Sequence, residues 1–150
     1  MGCYPVSVSQ LIASLVPEID LNNIKVLNKE KKIGSTGVDL DSYAELQFDN
    51  KFISKIGASF TKNLGQGTKV IGEKGELLIK NTWHGDPALI KINGEKNYEI
   101  KVESNKNIFS YEIENLSYSI IKNKKIVSYP AMNLTETLLN MRIIDEWLND

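Results

Sequence analysis

The sequence predicts an α+β fold: an open antiparallel or mixed β-sheet, with helices packed on one face and the other face left free. Three observations carry this. Apolar residues recur at helical spacing near both ends of the chain, at Val8, Leu11, Ile12 and Leu15 and again at Leu134, Leu138, Met141, Ile144 and Leu148. Between them the period shortens to two, with Ala44, Leu46 and Phe48 alternating with Tyr43, Glu45 and Gln47. Turn signals at Asp49-Asn50, Gly72-Glu73-Lys74-Gly75 and Asn93-Gly94 separate the apolar runs, so neighbouring strands run antiparallel. Strands followed by helices place the helices together on one side of the sheet.

The first helix spans about residues 5 to 16. Pro5 is tolerated in its first turn, where the missing N–H has no intrahelical partner in any case, and Pro17 stops it. Ile24 and Val26 form a short strand, and the polar run Lys29-Glu30-Lys31-Lys32 is expected to turn the chain in solvent. Beyond Asp49-Asn50, Phe52, Ile56, Ala58 and Phe60 alternate with Lys51, Lys55, Gly57 and Ser59, so two antiparallel strands share one buried face. Val70-Ile71 then pairs with Leu77-Leu78-Ile79, and Ile90-Lys91-Ile92 with the segment from Tyr98 to Val102. Gly72 and Gly75 have the spacing of a phosphate loop but lie between two strands, which makes the segment a turn. Phe109, Ile113, Leu116 and Ile120 mark a helix of about 109 to 122 that ends at Asn123-Lys124-Lys125. Asn133 followed by Glu136 reads as a capping box that opens a last helix, 134 to 148. No repeat or linker interrupts the chain, and residues 1–150 are expected to form a single domain.

Composition narrows the partners. The chain is 41% hydrophobic and 25% charged with a net charge of -1, an ordinary soluble balance, and no apolar run approaches the ~20 residues a membrane span requires. Arg142 is the only arginine among 18 basic residues, which leaves little guanidinium chemistry for phosphates or bases and argues against nucleic acid. Cys3 is the only cysteine, so neither an internal disulfide nor a cysteine-rich zinc site can form, and no metal is expected. No charged-then-apolar leader is evident, and a cytoplasmic setting is the expectation.

The opening Gly2-Cys3-Tyr4-Pro5 places a phenol two residues after a glycine at the start of a helix. Together with Thr36-Gly37-Val38-Asp39, Phe48-Asp49-Asn50-Lys51, the Val70–Ile79 hairpin, Tyr111-Glu112-Ile113-Glu114 and Met141–Glu146, it resembles the C-terminal domain of the Gfo/Idh/MocA oxidoreductases. That family comprises the glucose-fructose oxidoreductases, inositol dehydrogenases and dihydrodiol dehydrogenases. Gly2 and Tyr4 match the last two fixed positions of the family's Asp-x-Gly-x-His/Tyr motif. Tyr where the inositol dehydrogenases have His leans towards the other two branches. The resemblance implies an NAD- or NADP-dependent oxidoreductase acting on a sugar, polyol or dihydrodiol hydroxyl. It also implies a homodimer paired through the open sheet face, where Tyr43, Gln47, Ser54, Gly57 and Ser59 are read as pointing outward. The alternative for that face is plain exposure to solvent. The sequence holds neither a Gly-x-Gly-x-x-Gly after a strand nor a Glu-Lys-Pro segment. The nucleotide-binding (Rossmann) domain is therefore expected to be missing, and no cofactor is expected on this chain alone.

The candidate site residues follow. Removal of an alcohol proton as hydride departs needs a positioned base, and a tyrosine, ordinarily titrating near ~10, serves at neutral pH only beside a cation. By resemblance Tyr4 is the catalytic acid/base group or its hydrogen-bonding partner, beside a lysine supplied by the nucleotide-binding domain. His84, the only histidine, lies in Thr82-Trp83-His84-Gly85-Asp86-Pro87, where Trp83 can wall a substrate pocket and His84 or Asp86 can hydrogen-bond a hydroxyl. A surface-loop histidine beside a tryptophan anchored in the core is the plainer alternative. Asp39 and Asp41 are read as strand-flanking residues. A stand-alone, non-catalytic α+β binding or assembly module is the competing function, because fold does not fix function.

Overall fold

The computed structural model describes residues 2–84 and 88–149. It is α+β, and the order of elements along the chain is the predicted one: helix, strands, helices. Two features differ from expectation. The strands form two antiparallel sheets instead of one, and the described residues group into two compact units, 1–64 with 132–150 and 65–131.

In the first unit, strands β1 (Ile24–Ile33), β2 (Asp39–Phe48) and β3 (Phe52–Ser59) lie side by side in that order. The β2–β3 turn is the one signalled by Asp49-Asn50: both residues adopt positive φ, 49° and 54°, as a tight hairpin requires. Helices α1 (Cys3–Ser14) and α3 (Leu134–Leu148) both pack with this sheet and with each other. Val26, Ala44, Leu46, Phe48 and Ile56 from the sheet close a core with Val6, Ala13, Ile143 and Trp147 from the helices. The alternation read in β2 is borne out, since Ala44, Leu46 and Phe48 are all buried.

Two strand expectations differ from the structure. The run Lys29-Glu30-Lys31-Lys32 does not turn the chain but continues β1, after a bulge at Asn28 where φ is 48°. Strand geometry suits these lysines because alternate ones reach the C-terminal end of α3. Lys29 donates to the carbonyls of Glu146 and Asn149, and Lys31 to that of Leu148 at 2.8 Å, satisfying acceptors that have no intrahelical donor. Ser54 does not face outward. It stands opposite Leu46, and its hydroxyl meets that of Ser9 on α1 at 2.7 Å.

The inward faces of the helices also differ. α1 buries Val6, Ser9, Gln10 and Ala13, leaving Leu11 and Leu15 exposed. α3 buries Asn140, Ile143 and Trp147, while Leu134, Leu138, Met141 and Leu148 are exposed. Ser9 of α1 bonds to Ser54 of β3, and Trp147 of α3 to the carbonyl of Tyr43, and these contacts turn their own faces of the helices to the sheet in place of the leucine stripes. The capping box of α3 is present as predicted, with Glu136 N–H donating to Asn133 at 3.0 Å and Asn133 N–H to Glu136 at 2.8 Å.

The second unit holds β4 (Thr68–Gly72), β5 (Gly75–Ile79), β6 (Ala88–Gly94) and β7 (Tyr98–Val102) as an antiparallel meander, with both predicted hairpins in place. The register lines Val70, Leu77, Ile92 and Tyr98 along one face, and Lys69, Leu78, Lys91 and Glu99 along the other. On the charged face Lys69 pairs with Glu76 at 2.6 Å and Lys91 with Glu99. Gly75 adopts φ 142°, and a Cβ there would fall 2.2 Å from the carbonyl of Asn93, so only glycine fits between β4 and β6. Helix α2 (Ile108–Ile121) belongs to this unit, not to the cover of the first sheet. Its buried side is the polar one. Ser119 is buried, Asn115 donates to Ser128 O at 3.1 Å, and Phe109, Ile113, Leu116 and Ile120 are exposed.

Candidate functional site

Tyr4 projects from the first turn of α1, a turn fixed from two directions. Gly2, just before the helix, lies against the Trp147 ring so closely that a Cβ would sit 3.0 Å from Cζ3. The indole is held in turn by its Nε1–H, which donates to Tyr43 O at 3.1 Å. Asn140 of α3, 5% exposed, donates to Cys3 O at 3.2 Å. Ser9 links the same helix to β3, donating to Pro5 O at 2.7 Å while contacting Ser54. The backbone under Tyr4 is thus anchored, and the residue is 64% exposed. Cys3 is exposed beside it.

The second predicted group lies in the other unit. Trp83 and His84 share the turn after β5, where Thr82 is anchored by its N–H to Gln66 O and by its hydroxyl to that of Thr68, both at 2.8 Å. Trp83 is half-buried and His84 exposed, so one offers a wall and the other a polar tip. Asp86 lies outside the described residues.

A third constellation carries no functional signal in the sequence. Asp41 stands on the face of the first sheet opposite the helices and is nevertheless only 2% exposed. Its carboxylate accepts from the Ser59 hydroxyl at 2.6 Å and from the Thr61 hydroxyl at 2.6 and 2.7 Å. Those bonds, with help from Lys62, hold its pKa below the ordinary carboxylate value. Ser59 Oγ also accepts from the N–H groups of Thr61 and Lys62, at 3.1 and 2.7 Å, tying down the turn after β3. Lys62 lies over the Tyr43 ring at 5.7 Å. The ring itself covers Gly57, where a Cβ would fall 2.8 Å from Tyr43 Cδ1. Glu30, Lys31, Lys32, Asp41, Tyr43 and Lys62 line an open cavity of about 170 Å³ there. The available signal was the pairing of Asp41 with Ser59, visible only once register is known. Among the described residues no group of three or more His, Cys, Asp or Glu side chains is placed to hold a metal ion, and no helix is long and apolar enough to cross a membrane.

No family model and no curated protein matches the sequence. Solved structures do match the fold. A crystal structure of a mutant of KijD10, a 3-ketoreductase from Actinomadura kijaniata in complex with TDP-benzene and NADP, superposes with a TM-score of 0.76 at 12% identity, over 97% of this chain and 44% of that one. KijD10 in its open conformation, also with TDP-benzene and NADP, gives 0.76 at 11% identity over the same shares. Its complex with NADP gives 0.75 at 11% identity, over 96% of this chain and 44% of that one. The chain therefore has the fold of part of that ketoreductase, and spans less than half of its length.

Proposed function

We propose that residues 1–150 form the substrate-binding part of an NAD- or NADP-dependent oxidoreductase of the Gfo/Idh/MocA kind, acting on a sugar, polyol or dihydrodiol hydroxyl. The observation that carries this is the likeness of nearly the whole chain to under half of a 3-ketoreductase that binds NADP. The anchored turn bearing Tyr4 supports the assignment of that phenol as the acid/base group or its hydrogen-bonding partner, with the cation and the nicotinamide supplied by a nucleotide-binding domain. Trp83, His84 and Asp86 are assigned to the substrate.

The gene tests this directly. A reading frame that continues upstream in phase through Asp-x-Gly, a Glu-Lys-Pro segment and a Gly-x-Gly-x-x-Gly after a strand is the expected finding. A stop codon immediately upstream would instead favour a stand-alone binding module, as would absence of those motifs.

Pairing of two chains through the open face of the first sheet belongs to the same proposal. Exposed Ile53 and Leu27 stand at the end of that face away from Asp41 and support it. Light scattering of the purified chain is expected to give twice the monomer mass, and a monomer at high concentration would refute the pairing.

A further inference from the structure

We propose that the cavity between Lys32 and Lys62 on the first sheet binds a small phosphorylated polyol, its anion held by the two ammonium groups and the Tyr43 hydroxyl and its hydroxyl held by Glu30. The proposal stands apart from the reductase assignment. β1 brings Glu30 opposite Tyr43 and Lys32 opposite Asp41, so four of the lining residues belong to two adjacent rows of one sheet face. The remaining cation comes from the turn after β3, which Asp41 and Ser59 fix through four hydroxyl and amide contacts at 2.6 to 2.7 Å.

Asp41 keeps its charge at the cavity wall, but its carboxylate forms no ion pair within 4 Å with either lysine among the described residues. Its oxygens are already taken by Ser59 and Thr61, and it is 2% exposed. Neither Lys32 nor Lys62 forms an ion pair within 4 Å among the described residues, whereas lysines elsewhere on the same sheet do, as Lys55 does with Glu45 at 3.0 Å. Lys31 donates to the carbonyl of Leu148. Two compact cations outside any close ion pair, lining one cavity with the Tyr43 phenol, suit a phosphate, for which lysine acts as a point charge. A volume of about 170 Å³ accommodates such an anion with a short carbon chain attached. Glu30 is the specificity element. It repels a bare anion but accepts a bond from a ligand hydroxyl, and so favours a phosphate that carries one.

Calorimetric titration of the full chain with inorganic phosphate and with glycerol 3-phosphate tests this. Glycerol 3-phosphate is expected to bind more tightly than phosphate. Lys32→Ala with Lys62→Ala is expected to weaken both by about tenfold or more at unchanged circular dichroism. Glu30→Gln is expected to tighten phosphate and to remove the preference. No saturation of either probe by about 10 mM would overturn the proposal, as would binding that survives the double substitution. If that variant loses its fold, Tyr43→Phe takes its place, since it keeps the ring over Gly57 and removes only the hydroxyl; unchanged affinity for both probes would then overturn the proposal.

Discussion

Gly2 shows how a residue can be legible for one reason and needed for another. In the sequence it marks a motif two positions before a tyrosine; in the structure its missing side chain makes room for the Trp147 ring. Gly2→Ala is expected to cost about 1 to 3 kcal/mol through overpacking, read as a lower urea midpoint at unchanged slope. On the proposed reading of Tyr4 as an acid/base group, Tyr4→Phe in a chain joined to a nucleotide-binding domain should lower turnover by about 10² to 10⁴ with cofactor affinity nearly unchanged. Turnover close to that of the wild type would reduce Tyr4 to a packing residue. In the sequence Asp41 is no more than a strand-flanking acid, because its burial on the open sheet face depends on Ser59 and Thr61 arriving across a hairpin. Its pKa is lowered in the fold, first by the Ser59 and then by the Thr61 hydroxyl. The stability it contributes is therefore present above the unfolded carboxylate pKa and is lost as pH falls through the lower folded value. The gap in stability between wild type and Asp41→Asn should be widest near neutral pH and shrink below about pH 4. Urea unfolding at both ends of that range measures it.

At the scale of elements, the hairpin turns and the last helix cap were legible because each rests on contacts between residues a few positions apart. The Asp49-Asn50 turn, the Gly72–Gly75 hairpin and the Asn133–Glu136 box are all where their residues put them. The inward faces of the helices were not legible. Apolar spacing identifies a helix, but Val8, Leu11 and Leu15 overlap in period with Val6, Gln10 and Ala13, and only the surface that receives the helix chooses between the two sets. The lysine run in β1 failed for a related reason. A charged stretch resembles a solvated turn until the carbonyls at the end of α3 are seen beside it. Lys29→Met with Lys31→Met should destabilise the fold by about 0.3 to 1 kcal/mol per lysine and speed amide exchange in the last turn of α3, leaving α1 unchanged. Hydrogen exchange resolved by residue distinguishes the two helices.

For the whole molecule, the α+β class and the order of elements followed from periodicity, whereas the division into two sheets did not, because no local signal states which strands share a ladder. Gly65, at φ 78°, and Gly67 lie where the chain leaves the first unit, and they read equally well as an ordinary loop. The chain by itself carries no glycine-rich strand-to-helix turn of the kind that seats a pyrophosphate. Titration with NADH and NADPH should therefore give no binding in the micromolar range. Micromolar affinity for either would sink the assignment of this chain as the substrate-binding part alone.

The bond from the Trp147 indole ends on the backbone carbonyl of Tyr43, within the central strand of the first sheet. Tyr43 carries that carbonyl on the strand while its ring borders the cavity beside Lys62. A ligand that displaced Tyr43 would therefore shift the polar partner of a buried fluorophore. The emission wavelength of Trp147, isolated by replacing Trp83 with Phe, becomes an intrinsic optical gauge of events on a surface the indole never touches.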